Sequence, residues 1–428
     1  MKDQELKKLT FCDYLAIVIY SLGMFGFGVV LTVEKFLGLS ERMLTVPYRL
    51  IILLCSILLI GGLLLREGKL CFKTYMVPLV IFWTAYVTRF VYDAYVRDMP
   101  MAVTTYSDLL FYVFGMCFVP MLALLLYGSV RGMALAVGTS LTVVSGTCIA
   151  ILLFSRDLLY SNFGRLRAEG GLNEITLGHL GVSLVTLCLF LLCCRIPLLR
   201  ISKAVYLTLI VFGLTVVGLA SSRGPLLSLL ILFLLMMIFA FRQGRGMQSL
   251  AVAAIVALLI PSGFVALKSM GSNIDERIAV TFAQAESRSE ARFDLWQSAW
   301  EDFLDHPLTG RALEGRYDMY PHNLLLESFM ATGIVGGAAF VWLLVAGLCA
   351  ALRLILSTTD RAWLGFLFIQ MLIYGTFSGA LWSHFSFWYM LAAVFAYGYG
   401  PGVVPSLQRE RHSRLPLVAG VSFFGHES

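Results

Sequence analysis

Long apolar runs separated by short polar joints set the rhythm of this chain. Runs of roughly 17–25 apolar residues match the length of a helix that crosses a bilayer. About twelve such runs are predicted with a window of that length: 14–33, 50–65, 76–95, 108–127, 133–155, 174–194, 204–220, 225–241, 249–267, 323–352, 362–380 and 384–400. In hydrocarbon every backbone N–H and C=O must be satisfied within the protein, which leaves an all-helical bundle as the expected solution. The pattern therefore predicts an all-α, polytopic integral membrane protein.

One interval departs from this rhythm. Residues 268–321 form the only long polar stretch between spans. Inside it, "RFDLWQSAWEDFLDHPLTG" reads as a helix, with Phe293, Trp296, Trp300, Phe303 and Leu304 at spacings of three and four. Pro307 stops it and Gly310 turns the chain. Two tryptophans on an apolar face suit a helix that lies at a membrane surface or packs on the bundle.

Composition strengthens the membrane reading. Of 428 residues, 59% are hydrophobic and 14% charged, too little polar surface for a soluble protein of this size. Mean hydropathy is +0.83. The formal charge of +6 does not point to nucleic acid, because the cations are spread over short loops. The start, "MKDQELKKLTFCD", lacks a small-residue cleavage site before its apolar span and reads as a signal anchor. The nine cysteines contain no metal-type CxxC pair, and the adjacent Cys193 and Cys194 read as inert thiols.

Lysine and arginine set the expected orientation. With the N-terminus cytoplasmic, the inside segments hold Lys2, Lys7 and Lys8, then Arg66 and Lys69, Arg131, Arg195 and Arg200, Arg242 and Arg245, and Arg353 and Arg361. The tail after Gly400 adds Arg409, Arg411 and Arg414. Both termini are therefore expected inside. The opposite face receives the segment around Arg156 to Glu174, the tight "SSRGP" turn and the interval 268–321.

Candidate chemistry gathers on that outer face. His322 follows Pro321 and precedes Asn323 at the threshold of the tenth span. Near neutral pH an imidazole accepts a proton and can serve as general base toward a hydroxyl. A histidine at a helix entrance has capping or packing as its ordinary role, and company decides between the two. Arg165 and Arg167 precede a Gly-Gly pair, Arg223 sits in the "SSRGP" turn, and Arg288 and Arg292 lie one helical turn apart. Arginine is disfavoured on this face, and guanidinium forks grip phosphates bidentately. Pairing with Glu169, Glu286, Glu290 or Asp294, or with phospholipid headgroups, is the plainer role for any one of them. Arg89 and Asp93, four apart in the third span, read as a structural ion pair, with a role in a cavity second. His179 and His384, in or beside spans, read as hydrogen-bonded packing residues.

With these residues in view, the chain resembles the bacterial O-antigen ligases and the related O-antigen polymerases. The carrying motif is His, then Asn, Ser or Gln, nine residues, Gly, two residues, then Gly, Thr or Tyr. Here it is His322, Asn323, Leu324 to Thr332, Gly333, Ile334 and Val335, and Gly336. The preceding "RFDLWQSAWEDFLDHPLTG" and the Ser-Arg-Gly of "SSRGP" are also similar to the family, so the resemblance covers about Ala204 to Trp342. It implies a GT-C-like membrane glycosyltransferase working on the periplasmic face of the bacterial inner membrane. Its donor would be a glycan on undecaprenyl diphosphate. A ligase would use a sugar hydroxyl of lipid A–core as acceptor; a polymerase would use another lipid-linked repeat unit. The implied chemistry is metal-independent, uses no cofactor and inverts the anomeric carbon.

By that resemblance His322 is the candidate base. Arg292 and one of Arg165 or Arg167 are candidate diphosphate ligands, with Arg223 and Arg288 behind them. Asn323, Glu327, Gly333 and Gly336 are supporting residues, the glycines allowing close packing or a bend behind the site. The chain divides into six N-terminal spans over 1–203, a ligase/polymerase-type core over 204–400 that includes the loop 268–321, and a cytoplasmic tail over 401–428. Ligase is the expected activity and repeat-unit polymerase the alternative. A flippase or transporter that holds the same anion without reaction is a second alternative. A rim of cations around His322 favours transfer; a charged path across the membrane favours transport.

Overall fold

The computed structural model describes residues 9–40, 42–67, 73–99, 101, 104–128, 132–154, 174–194, 201–220, 222–246, 292–315, 320–357 and 360–399. These residues are helical or irregular, with no strand among them. The protein is an all-α polytopic membrane protein. Its helices are α1 (Phe11–Phe36), α2 (Thr45–Glu67), α3 (Thr74–Val96), α4 (Tyr106–Tyr127), α5 (Met133–Phe154) and α6 (Glu174–Cys193). They continue as α7 (Lys203–Ala220), α8 (Arg223–Arg242), α9 (292–305), α10 (Leu324–Ser357), α11 (Ala362–Ser378) and α12 (Phe385–Gly398). All except α9, α11 and α12 are long and apolar enough to cross a membrane; α11 and α12 are shorter apolar helices. The predicted span 249–267 and the tail 401–428 lie outside the described residues.

Two predicted boundaries move in a way that matters. Helix α1 runs to Phe36 rather than 33, and α2 starts at Thr45 rather than 50. Hydropathy ends a span at its first charge, but backbone hydrogen bonding continues through Glu34, Lys35 and Arg49. The loop between α1 and α2 is held by Glu34, whose carboxylate accepts the N–H groups of Arg42 (3.1 Å), Leu44 (2.6 Å) and Thr45 (2.9 Å).

Helix α6 is buried from Leu177 to Leu191 and packs most extensively on α7. A helix apolar all round belongs in the interior. Small residues permit close approach where lipid offers no hydrophobic drive. A Cβ at Gly181 would sit 2.8 Å from the Gly213 carbonyl oxygen of α7. A second contact region joins α3, α10 and α12 through rings. Phe82 lies 5.1 Å from Phe340 and 5.6 Å from Trp388, and Trp83 lies 4.8 Å from Trp388.

Helix α10 is broken at Gly333, where φ is 65° and ψ is −161°. That conformation is essentially reserved for glycine. The chain between α9 and α10 fills the break. Ile334 N–H donates to the Pro307 carbonyl (2.7 Å) and Arg311 N–H to the Met330 carbonyl (2.8 Å). The expected bend is thus a true interruption whose backbone groups are satisfied by residues 307–311.

The Arg89–Asp93 pair locks the same segment. Both side chains are buried and meet at 3.0 Å. Arg89 also donates to the carbonyls of Thr309 (2.9 Å), Gly310 (2.5 Å) and Arg311 (3.1 Å). Asp93 accepts from Leu313 N–H at 3.1 Å. A third clamp joins Arg311 to buried Asp302 of α9 at 2.8 Å.

Helix α9 forms as expected, but its buried face differs. Ser298, Ala299, Asp302 and Phe303 point inward, while Phe293, Trp300 and Leu304 are exposed. The clamp on Asp302 turns the helix so that only part of its apolar stripe meets the bundle. The exposed remainder suits a membrane interface.

Replacing Gly333 with Ala should destabilise the protein by at least about 1–3 kcal/mol, the usual strain of a non-glycine residue in such a region. An added Cβ would also meet the Leu308 backbone. Thermal unfolding in detergent measures this, and an unchanged midpoint would refute the interruption.

Candidate functional site

His322 lies nine residues beyond the clamped stretch 307–313 and has an anchor of its own. Trp296 of α9 donates its indole N–H to the Pro321 carbonyl at 3.0 Å. His322 then takes a left-handed conformation, φ 53°, uncommon for a residue other than glycine. Strain of this kind persists when the surroundings over-determine it. Asn323 starts α10: its Oδ1 accepts the N–H groups of Leu325 (3.0 Å) and Leu326 (3.2 Å). This is N-capping. It places Asn323 in the helix start rather than in a ligand contact.

The imidazole packs edge-on against Tyr320, with ring centroids 4.6 Å apart. Its Nδ1 is buried and makes no hydrogen bond among the described residues. Burial lowers the His322 pKa below its usual 6.5, the positive charge of Arg292 lowers it further, and the Ser378 backbone opposes both. The ring is therefore neutral at pH 7, the form that accepts a proton.

His322 lines a cavity of about 720 Å³. Helices α1, α2, α4, α6 and α11 and the turn before α12 contribute its walls. Its lining includes the rings of Tyr320, Tyr374, Trp382, His179 and His384 and the charged side chains of Glu34, Lys35, Arg42 and Arg49. His384 Nε2 lies 3.0 Å from the Met371 carbonyl oxygen, as expected of a packing histidine. His179 departs from that expectation. It stacks on Tyr374 at 4.4 Å, and neither ring nitrogen has a hydrogen-bond partner among the described residues.

Glu327 lies under the site. Its carboxylate, almost fully buried, accepts the Leu381 N–H at 3.0 and 3.1 Å. It thereby ties α10 to the turn that carries Trp382 and His384. Gly333 makes the interruption described above. Gly336 lies buried one turn further, where an added Cβ would meet the Thr332 side chain of its own helix and, at 3.2 Å, Ala85 of α3.

The candidate arginines fare unequally. Arg292, exposed in the first turn of α9, acts on His322 through its charge and is not among the cavity-lining residues. Arg223 is the first residue of α8, is exposed, and does not line the cavity. Arg165, Arg167 and Arg288 lie outside the described residues.

Lys35, Arg42 and Arg49 are cavity cations that sequence reading passed over. The available signal was an arginine within a turn of an apolar run, at "VPYRLIILL". A second cavity of about 650 Å³ adjoins the first and shares Arg42, Arg49, Tyr112 and Trp382 with it.

Among known proteins, residues 207–341 match a family model described as O-antigen ligase. That range contains α9, His322 and the interrupted start of α10. No curated protein and no solved structure matches the chain.

Removing the Arg292 charge should let His322 titrate closer to 6.5, because one of the two forces that disfavour its protonation disappears. NMR titration of ring-13C histidine, with His322 assigned by loss of its signal in His322→Gln, should give a midpoint below 6.5. The midpoint should move upward in Arg292→Gln. An identical midpoint in that variant would separate the two residues.

Proposed function

From the O-antigen ligase-type domain that this membrane protein carries, we propose that it transfers a glycan from undecaprenyl diphosphate to a sugar hydroxyl of lipid A–core. The reaction takes place at the periplasmic face of the bacterial inner membrane, with both termini in the cytoplasm. The observation that carries this reading is His322. Its imidazole, whose buried Nδ1 has no hydrogen-bond partner among the described residues and whose protonation is disfavoured by burial, lines a cavity that also holds Lys35, Arg42 and Arg49, inside the family-matched range.

The chemistry is a single displacement. The acceptor oxygen attacks the anomeric carbon while His322 takes the hydroxyl proton. The bond from that carbon to the diphosphate oxygen breaks, its electron pair leaves with the diphosphate, and the configuration inverts. Cations beside the leaving group stabilise the charge that develops there, worth more in a site that excludes water than in bulk solvent. Arg292 is the sequence-derived ligand best supported by position. Arg165, Arg167, Arg223 and Arg288 keep the place that the family resemblance implies for them.

A repeat-unit polymerase would use the same donor and the same base, differing only in acceptor. The alternative of transport is less favoured. Lys35, Arg42 and Arg49 share one cavity lining with His322, and backbone groups at the helix interruption are met by the protein's own loop.

The test is transfer by purified protein from a synthetic undecaprenyl diphosphate glycan. Product on lipid A–core supports ligation, and a lengthened lipid-linked glycan would assign polymerisation instead. His322→Ala should lower the rate by about 10²–10⁴-fold, the usual contribution of a positioned base, with insertion and thermal stability unchanged. Full activity in that variant would remove His322 as base.

A further inference from the structure

Arg49 lies in the second turn of α2, only 8% exposed. Its guanidinium carbon is 4.3 Å from the centre of the Tyr112 ring and 5.2 Å from that of Phe27. Two aromatic faces hold the planar group. No carboxylate and no hydrogen-bond acceptor among the described residues pairs with it. The nearby acids are engaged elsewhere. Glu34 is taken up by three loop amides, and Asp108 faces Arg42 at 3.3 Å. Lys35 lines the same cavity, also without an ion-pair partner among the described residues.

An arginine cannot escape burial by losing its proton. A buried charge without a counter-ion is strongly unfavourable, and more so at membrane depth. The fork nevertheless borders both cavities, one of which contains His322. An anion from outside the protein resolves this. A planar fork with a lysine lining the same cavity matches the oxygens of a phosphate group.

We infer that Arg49 and Lys35 form a subsite for the diphosphate of an isoprenoid-linked donor, built by the first two helices and outside the family-matched residues 207–341. This inference rests on the transferase reading. It assigns the leaving group to the wall contributed by α1 and α2, with Arg292 acting from the α9 side. The aromatic clasp around Arg49 fixes the plane of the fork before substrate arrives, so little ordering remains to be done on binding.

The experiment measures binding rather than transfer. Full-length protein in phosphatidylcholine nanodiscs is titrated with farnesyl diphosphate, farnesol and inorganic diphosphate. Wild type should prefer farnesyl diphosphate to farnesol. Arg49→Gln should weaken farnesyl diphosphate by at least about tenfold, Arg49→Lys by less, and Lys35→Gln by a smaller amount that fades with added salt. Arg49→Met should bind as poorly as Arg49→Gln, yet unfold without ligand at the wild-type temperature or higher, because it removes an uncompensated buried charge.

Affinity within twofold of wild type in Arg49→Gln would overturn the subsite and leave the transferase reading standing. A wild type that does not distinguish farnesyl diphosphate from farnesol would overturn both. Loss of farnesyl diphosphate binding when phosphatidylglycerol replaces phosphatidylcholine, with Arg49→Gln insensitive to the exchange, would assign the site to phospholipid headgroups and overturn the proposal. A lowered unfolding temperature in Arg49→Met would make Arg49 a packing residue.

Discussion

A helix in hydrocarbon cannot leave backbone groups open, and α10 breaks at Gly333. The rest of the candidate site follows from how that break is closed. Residues 307–311 supply the missing partners through Pro307 and Arg311. Residues 307–311 are thereby drawn against the bundle, and His322, further along the chain, lines the cavity. Arg89 and Asp93 reinforce the closure from α3 by binding three carbonyls and one amide of the same stretch. An ion pair at this depth is justified by what it holds. Both terminal nitrogens of Arg89 and both oxygens of Asp93 meet either the partner side chain or a backbone group.

Glu327 and Asn323 divide a related task. Asn323 completes the first turn of α10, and Glu327 reaches across to Leu381. His322, which directly precedes α10, and the turn bearing Trp382 and His384 are thus fixed to the same helix. Preorganisation of this kind is what the proposed transfer would need. Its base must meet a hydroxyl within hydrogen-bond reach, and a loose histidine would forfeit that alignment. The left-handed backbone at His322 belongs to the same arrangement, since Trp296, Tyr320 and Asn323 hold the chain on both sides of it.

Much of this was legible along the chain. Apolar run length announced a helical membrane bundle. The four-residue spacing of Arg89 and Asp93 announced their pairing. The His-Asn motif with its trailing glycines located both the candidate base and the place where α10 gives way. Helix α9 was visible too, although its inward face was misjudged. Periodicity reports where apolar residues fall, and the Arg311–Asp302 clamp determined which of them turned inward. Arg49 was missed for a related reason. Hydropathy places a charge at the edge of a span, whereas helix α2 begins a turn earlier and carries that charge inside.

The helical membrane class was therefore a matter of local sequence, because run length is dictated by bilayer thickness. Residue type alone named His322 as the candidate base. Which charges face one another was a matter of tertiary structure alone. Lys35, Arg49 and His322 come from segments nearly three hundred positions apart, and only the packing of α1, α2, α4, α6 and α11 puts them around one cavity. Burial decided the rest. It keeps the imidazole neutral and leaves Arg49 without a counter-ion, because desolvation depends on everything that surrounds a group and not on its neighbours in the chain.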